Sequence, residues 1–207
     1  MSNLAVTDDL FFNRAGLDRG RVEAIVADAL NGADDGELFL EYGQSESLAW
    51  DDGKLKSAAF DTAQGFGLRA IAGEATGYAH AASLTEEAIR RAAATVRAVH
   101  AGHGGTLAEP PTGTNRVLYA PDNPLGQVDF EAKVKLLAEI DAYARARDPR
   151  VRQVSCSLSG EWQAVQIIRP DGLRVADVRP LVRLNVSVVV AEGDRMESGG
   201  HGAGGRT

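Results

Sequence analysis

The sequence is poor in several residue classes, and each scarcity excludes a class of protein. Its 207 residues include one cysteine, Cys156, which excludes an internal disulfide framework and a zinc site built from several cysteines. No stretch approaches the roughly 20 apolar residues of a membrane span, and the first residues are acidic where a signal peptide is basic. The net charge of −7, from 22 Lys and Arg against 29 Asp and Glu, argues against a general nucleic-acid surface. We therefore expect a soluble, cytoplasmic protein.

Three amphipathic segments predict helices. The first spans about 18–30, with Asp18 as its N-cap. The second follows Ser83, which forms a capping-box pattern with Glu86. The third spans about 129–147. Its apolar positions recur at helical spacing, so we expect one buried face and one face in water. The buried face would carry Phe130, Val134, Leu137, Ile140 and Ala144, and the wet face Lys133, Glu139, Asp141 and Arg145.

Alternating apolar and polar residues between these helices predict strands. The turn signals are Asp51-Asp52-Gly53 and Pro170-Asp171-Gly172, and Gly43 is expected to interrupt the first strand. Strands joined by such short turns pair antiparallel. The expected class is α+β, with helices packed on one side of mainly antiparallel sheets. Both halves repeat a helix followed by strands, a pattern that is consistent with a two-fold duplication.

The chain is expected to divide into three parts. Residues 1–107 would form a helix, sheet and helix unit, residues 108–127 a loop, and residues 128–207 a helix followed by strands. Six glycines lie among the last fifteen residues. Because glycine loses the most freedom on ordering, we expect 199–207 to be poorly ordered. We interpret the segment as the point where a longer protein has been cut.

The individual reactive residues suggest structural roles. His100 and His103 lie where a helix runs into a Gly-rich loop, which favours helix capping over a metal pair. Cys156 occupies the apolar phase of a strand, so we expect a buried, inert thiol. Arg179 and Arg183 stand within the most strand-like stretch. They belong either to the wet face of a sheet or to a basic strip that meets a partner or a peptide carboxylate.

Several segments in a fixed order resemble the N-terminal region of the TldD/PmbA family, and TldD more than PmbA. No single motif among them is specific, but their order and spacing are. They are Gln64-Gly65-Phe66-Gly67-Leu68-Arg69-Ala70-Ile71, Gly73-Glu74, Thr76-Gly77-Tyr78-Ala79, Ser157-Leu158-Ser159-Gly160, Asp177-Val178-Arg179-Pro180-Leu181-Val182-Arg183-Leu184 and the glycine segment from Ser198 to Arg206.

The resemblance implies the N-terminal domain of a cytoplasmic zinc metallopeptidase that degrades or processes small or unfolded peptides. It implies a heterodimer with a PmbA/TldE partner. The family's H-E-x-x-x-H zinc motif and cysteine ligand lie downstream of the glycine segment, so no catalytic residue and no metal ligand is expected in this chain, which should itself be inactive.

Substrate or partner contacts are expected at Arg179, Arg183, His201 and Arg206. Two other functions stay open. One is a stand-alone module that binds peptides or docks a partner. The other is a non-catalytic PmbA-like subunit.

Overall fold

A computed structural model describes residues 2–206. The described chain begins with helix α1, Asn3–Asp8, which continues as a π-helical segment, Asp9–Arg14. The other helices are α2 (Arg19–Ala29), α3 (Glu86–Val99) and α4 (Phe130–Arg147). The strands are β1 (Asp35–Asp51), β2 (Lys54–Ala72), β3 (Ala75–Ala81), β4 (Val151–Ile168), β5 (Arg174–Glu192) and β6 (Arg195–Gly205).

The six described strands form one antiparallel sheet, and the predicted α+β class is confirmed. The strand order is β3-β2-β1-β4-β5-β6, so β3 and β6 are the two edge strands. Sequential strands are neighbours except where β1 pairs with β4. Each half of the sheet is therefore a three-strand meander joined by short turns. Whether the halves arose by duplication stays a prediction.

Two local predictions were wrong in detail. Gly43 does not interrupt a strand, because β1 runs unbroken from Asp35 to Asp51 and glycine is compatible with extended backbone. The cap of α3 is Thr85, whose hydroxyl accepts from the Ala88 amide, and not Ser83. Thr85 directly precedes the first helical residue, which is the position from which a side chain reaches the third amide of the helix.

The turn between β1 and β2 was predicted correctly, and its backbone explains the choice of residues. Asp52 and Gly53 have positive φ angles of 49° and 78°. Two consecutive residues in this region are typical of the tight hairpin turn that matches the twist of the flanking strands. Asp and Gly tolerate that conformation better than branched residues do.

The described residues divide into two compact units that interleave along the chain. Strands β1, β2, β4 and β5 contribute residues to both. The first unit holds residues 2–43, 63–121 and 163–178, and the second holds 44–62, 122–162 and 179–206.

The first unit is held by apolar packing and by ion pairs. Its fully buried side chains include Phe11, Val22, Leu38, Leu40, Leu68 and Ile89, from helices and strands alike. Arg69 donates two hydrogen bonds to Glu37 at 2.7 and 3.0 Å. Arg169 donates to Asp35 at 2.8 Å and to the Ala108 carbonyl at 3.0 Å. That second bond fastens the loop after α3 to the end of β4.

The second unit packs α4 against one face of its strands. The buried centre is Leu48, Leu137, Val154 and Cys156, surrounded by partly buried side chains that include Trp50, Leu158, Leu184, Val186 and Val188. The predicted burial of Cys156 is confirmed at 3% exposure. The predicted faces of α4 are partly wrong, because Lys133 and Asp141 are buried while Phe130 is 46% exposed. Both buried charges have partners, as described below.

Candidate functional site

The glycine segment forms a regular strand, so the prediction that it is poorly ordered was wrong. Strand β6, Arg195–Gly205, pairs with β5 over its whole length. Backbone hydrogen bonds along this ladder offset the entropy cost of ordering glycine. Every residue of β6 is exposed, and within residues 2–206 no strand lies on its outer side. Its outer edge therefore presents backbone donors and acceptors. Thr207 lies outside the described residues.

The register of β5 with β6 decides which side chains share a face. Asn185 is paired with Gly202, and Val186 with His201. Directly paired residues of antiparallel strands project to the same side. Since Val186 packs into the core beneath α4, His201 lies on the α4 side. Asn185 and Gly202 lie on the opposite side, which we call the open face.

A hydrogen-bonded chain of three side chains crosses the open face from β4 to β5. The Asn185 amide donates to the Ser157 hydroxyl at 3.3 Å, and Arg183 Nε donates to Asn185 Oδ1 at 2.9 Å. The Arg183 side chain is exposed, whereas Ser157 and Asn185 are half-buried. The amide therefore fixes one edge of the guanidinium and leaves its two terminal nitrogens to other partners.

Gly202 provides the space in which this chain lies. A Cβ at that position would stand 2.6 Å from Asn185 Oδ1 and 2.9 Å from an Arg183 terminal nitrogen. Both distances are too short for a real contact, so a side chain at 202 would displace the guanidinium or the amide. The guanidinium thus lies over β6, the edge strand.

A second polar chain occupies the same face nearer the β1 end. Asp51 accepts from Gln153 Nε2 at 2.8 Å and from Ser155 Oγ at 2.7 Å. These two hydrogen bonds, with a smaller contribution from the Lys56 charge, hold the pKa of Asp51 below its ordinary value. Asp51 is therefore a hydrogen-bonded carboxylate at neutral pH and not a proton donor.

The α4 side of the same strands carries an apolar groove of about 540 Å³. Strand β6 contributes only residues with small side chains or none to its wall, Ala203, Gly204 and Gly205. The apolar lining residues include Leu125, Val128, Leu136, Leu158, Pro180, Leu181, Val182 and Leu184. A groove with this lining suits apolar side chains of an extended ligand.

A buried ion pair borders the groove. The Lys133 ammonium contacts the Glu46 carboxylate and donates to the Leu125 carbonyl at 2.7 Å. Their side chains are 8% and 16% exposed. The pair explains why Lys133, predicted to face water, is buried: its charge and one further donor are satisfied. Helical spacing alone could not predict this ion pair, because Glu46 is far from Lys133 in the sequence.

Asp141 joins α4 to the β1–β2 turn. Its carboxylate accepts from Trp50 Nε1 at 2.9 Å, the Gly53 amide at 2.7 Å and Arg145 Nε at 2.7 Å. Burial opposes the charge, but the hydrogen bonds from Trp50, Arg145 and Gly53 outweigh it and keep the pKa of Asp141 below its ordinary value. This buried carboxylate is a structural anchor, because all its partners are donors from the fold itself.

The two histidines near the end of α3 have separate partners. His100 Nε2 lies 2.7 Å from the Ala29 carbonyl, and His103 Nε2 lies 2.9 Å from Asp34 Oδ2. Each histidine thus contacts an acceptor of the fold, and the prediction that they do not form a metal pair stays a prediction. His100 binds the end of α2, not of its own helix.

The described residues do not fit a bound metal. Across positions 2–206 no three His, Cys, Asp or Glu side chains come together as a ligand set. The pKa of the Cys156 thiol is raised, first by burial and then by the Asp141 charge, which disfavours the thiolate that metals bind. The described side chains therefore do not fit a catalytic metal.

The remaining predicted contacts are spread over two strands. Arg179 is an exposed residue of β5, and Arg206 is exposed immediately after β6. Arg183 shares the open face with Gly202, whereas His201 lies on the α4 side. Sequence reasoning did not identify Asn185 and Ser157 as functional residues. Alternation along β5 puts Asn185 on the same face as Arg183, but only the pairing of β4 with β5 brings Ser157 beside Asn185.

No helix between residues 2 and 206 has the length and apolar content that crossing a bilayer requires.

Comparison with known proteins identifies the family. Residues 36–100 match the description "PmbA/TldA metallopeptidase domain 1", and residues 123–207 match "PmbA/TldA metallopeptidase central domain". The fold and both matches show two consecutive domains of a metallopeptidase family. The chain belongs to the PmbA/TldD family.

Curated relatives agree with the family models. The metalloprotease TldD homolog of Haemophilus influenzae is 39% identical over 174 residues, or 82% of this chain. The TldD homolog of Buchnera aphidicola subsp. Schizaphis graminum is 33% identical over 84% of the chain. In both cases the match covers 36% of the relative, so this chain spans about a third of their length.

Solved structures share the fold. TldE from Thermococcus kodakarensis superposes with a TM-score of 0.71 at 16% identity, over 90% of this chain and 43% of its own. A candidate modulator of DNA gyrase from Bacteroides thetaiotaomicron gives 0.71 at 15% identity, over 90% and 44%. At such identities the likeness concerns the fold alone.

Proposed function

We propose that this chain forms the peptide-binding region of a TldD-like zinc metallopeptidase that degrades or processes small or unfolded peptides. Family membership and the TldD homologs at 39% and 33% identity support the metallopeptidase class. The single observation that carries the binding role is β6, a bare edge strand of 11 residues beside an apolar groove.

Backbone pairing explains how such a strand would bind a peptide. An extended peptide that joins the outer edge of β6 exchanges backbone hydrogen bonds with it, and these do not depend on sequence. The exposed glycines put no side chain in the way of the incoming backbone. Folded proteins usually shorten or cover their edge strands, so unfolded chains would be preferred.

Hydrolysis is assigned to residues other than those described here. Zinc in this family would supply metal-assisted attack of water on the peptide bond. The described side chains present no ligand set for it. We propose that the catalytic residues belong to the part of the relatives' length that this chain does not span, and that the chain alone does not hydrolyse peptides.

We propose Arg179, Arg183, His201 and Arg206 as contacts to substrate or partner. All four are exposed and lie on β5, on β6 or directly after it. Their positions on both sides of the sheet suit a ligand that runs along the β6 edge.

The partner we propose is a PmbA/TldE-type subunit in a heterodimer. The fold of this chain is similar to that of TldE, which supports a heterodimer of two subunits with related folds.

The location we propose is the cytoplasm. The single cysteine, Cys156, is buried and unpaired, which fits a reducing compartment.

Fluorescence polarisation with a labelled peptide tests the binding role. The probe is an alternating Thr-Val peptide of about eight residues, long enough for one strand, with a central Gln. The matched control has the same sequence with alternate amides N-methylated, which removes donors without changing side chains. We expect the unmodified peptide to bind and the methylated one to bind at least about tenfold more weakly, since several hydrogen bonds are lost. Equal binding of the two, or no binding of either, would contradict the proposal.

A further inference from the structure

Arg183 differs from most arginines of the described chain in having no acidic partner. Between residues 2 and 206 its side chain makes one hydrogen bond, to the neutral Asn185 amide, and no ion pair. Other arginines are matched with carboxylates: Arg69 with Glu37, and Arg145 with both Asp52 and Asp141. The chain carries more acids than bases, so an unmatched arginine is not explained by a shortage of carboxylates.

The position of the guanidinium is set by its surroundings. Ser157 orients the Asn185 amide, and that amide oxygen accepts from Arg183 Nε. The absence of a side chain at Gly202 leaves the space that the guanidinium needs, because a Cβ there would stand 2.9 Å from its terminal nitrogen. The two terminal nitrogens are therefore held over β6 while Nε is occupied.

The held guanidinium lies within reach of a strand added to β6. Neighbouring strands are spaced by about 4.8 Å, and the guanidinium already lies over the outermost described strand. An added strand would project alternate side chains onto the open face, next to those terminal nitrogens. Two parallel N–H donors match the geometry of a carboxylate.

We propose that Arg183 selects an acidic side chain, Asp or Glu, at one position of the bound peptide. The inference rests on the proposed pairing of the peptide with β6. It adds a preference to binding that is otherwise independent of sequence. Asn185 and Ser157 are positioning residues, since they act only through the guanidinium.

A side chain fits this site better than the terminal carboxylate of a peptide. The backbone of an added strand, including its terminus, continues in the plane of the sheet. Arg183 projects from the face of the sheet, as the side chains of the added strand would. We therefore assign the carboxylate to a side chain, and a terminal carboxylate becomes an alternative outcome of the test.

The test compares two labelled peptides with the complete 207-residue chain. Both are the alternating Thr-Val probe with an amidated C-terminus, one with a central Glu and one with a central Gln. A third has the central Gln and a free C-terminal carboxylate. We expect the Glu peptide to bind about fivefold more tightly than the amidated Gln peptide at low salt, the size of a partly exposed charge pair. The preference should shrink as salt is raised.

Variants assign the preference to the proposed residues. R183Q should bind the two amidated peptides with equal affinity. R152Q removes the same charge from an exposed residue of β4 and should keep the preference. G202A retains the arginine but displaces its guanidinium or the amide that holds it, and should weaken the preference.

The outcomes separate this inference from the proposed function. Binding of the Glu and Gln peptides with equal affinity by the unchanged protein overturns the selection by Arg183 and leaves the pairing with β6 intact. A preference for the free terminal carboxylate over the Glu side chain also overturns it. Failure of every peptide to bind overturns both. A preference that survives in R183Q assigns it to another residue and overturns the inference.

Discussion

The two edge strands, β3 and β6, carry similar backbone edges but are protected to different degrees. Strand β3 has seven residues, and Gly77 packs so closely on α3 that a Cβ there would stand 3.0 Å from Val99. On its other face Tyr78 stacks with His80, at 5.5 Å between ring centres, and covers Gly67. Strand β6 has 11 residues, all exposed. Proteins usually shorten or cover their edges because bare ones attract other strands.

The difference indicates that glycine serves opposite purposes at the two edges. At Gly77 the missing side chain lets a helix approach the sheet. At Gly199 a Cβ would meet nothing within 4 Å, so no packing constraint within the described chain explains the residue. Within residues 2–206 nothing packs against Gly199, whereas Gly77 is needed for the approach of α3.

The largest effect we expect comes from a matched pair of valine substitutions. G77V drives a branched side chain into α3 and should lower the free energy of unfolding by about 2 to 3 kcal/mol. G199V meets open space on a strand and should change it by less than about 0.5 kcal/mol. Urea unfolding of both variants measures the difference. Similar values for the two would show that the edges are not protected differently.

A second prediction concerns Asp141, which anchors α4 beneath the strands that support β6. D141N keeps the shape but cannot satisfy its three donors, so it should lower the free energy of unfolding by about 2 kcal/mol at pH 7. The depressed pKa also sets a pH dependence. The stabilisation is fully present above the unfolded-state pKa of about 3.9 and is lost as pH falls through the lower folded-state pKa. The free energy of unfolding of the unchanged protein should therefore fall as the pH is lowered from 6 to about 2. For D141N it should fall less. Parallel profiles would contradict the role.

A third prediction tests the packing of the same support. C156A removes a small buried group and should cost on the order of 1 kcal/mol, while binding of the Thr-Val peptide at β6 stays unchanged. The thiol should react with a disulfide reagent only as fast as the protein opens, because it is buried and its pKa is raised. Rapid reaction in native protein would show that the thiol is accessible.

The smallest effect we expect is that of zinc on the isolated chain. The isolated chain should bind no stoichiometric zinc, since its described residues present no ligand set. Elemental analysis after dialysis against zinc, and a thermal unfolding scan with and without it, should both show no change. One tightly bound zinc per chain would contradict this prediction and would make His100 and His103 candidate ligands.

Much of the fold could be predicted from local pattern. Helix α2 and its Asp18 cap, the Asp52-Gly53 turn and the α+β class followed from periodicity and turn chemistry. The errors at α4 and at the glycine segment share one cause. Lys133 and Asp141 were placed in water because charge usually indicates exposure, but Glu46 and Trp50 bring partners from distant positions. The glycine segment was predicted to be poorly ordered because ordering glycine costs entropy, whereas pairing with β5 supplies hydrogen bonds that offset this cost.

The sequence by itself determined helices α2, α3 and α4, the α+β class, the family to which the chain belongs, and the apolar phase of Cys156. These depend on spacing between neighbours and on the order of short segments along the chain. Only the tertiary structure decided that β6 is an edge, that Asn185 faces Gly202 and that Arg183 is held above the strand. Shifting the register of β5 by one residue would move Arg183 and Asn185 to the α4 side. A hairpin turn and the apolar alternation fix the register of β5 with β6, whereas the pairing of β1 with β4 joins segments far apart in the sequence and is fixed by no turn.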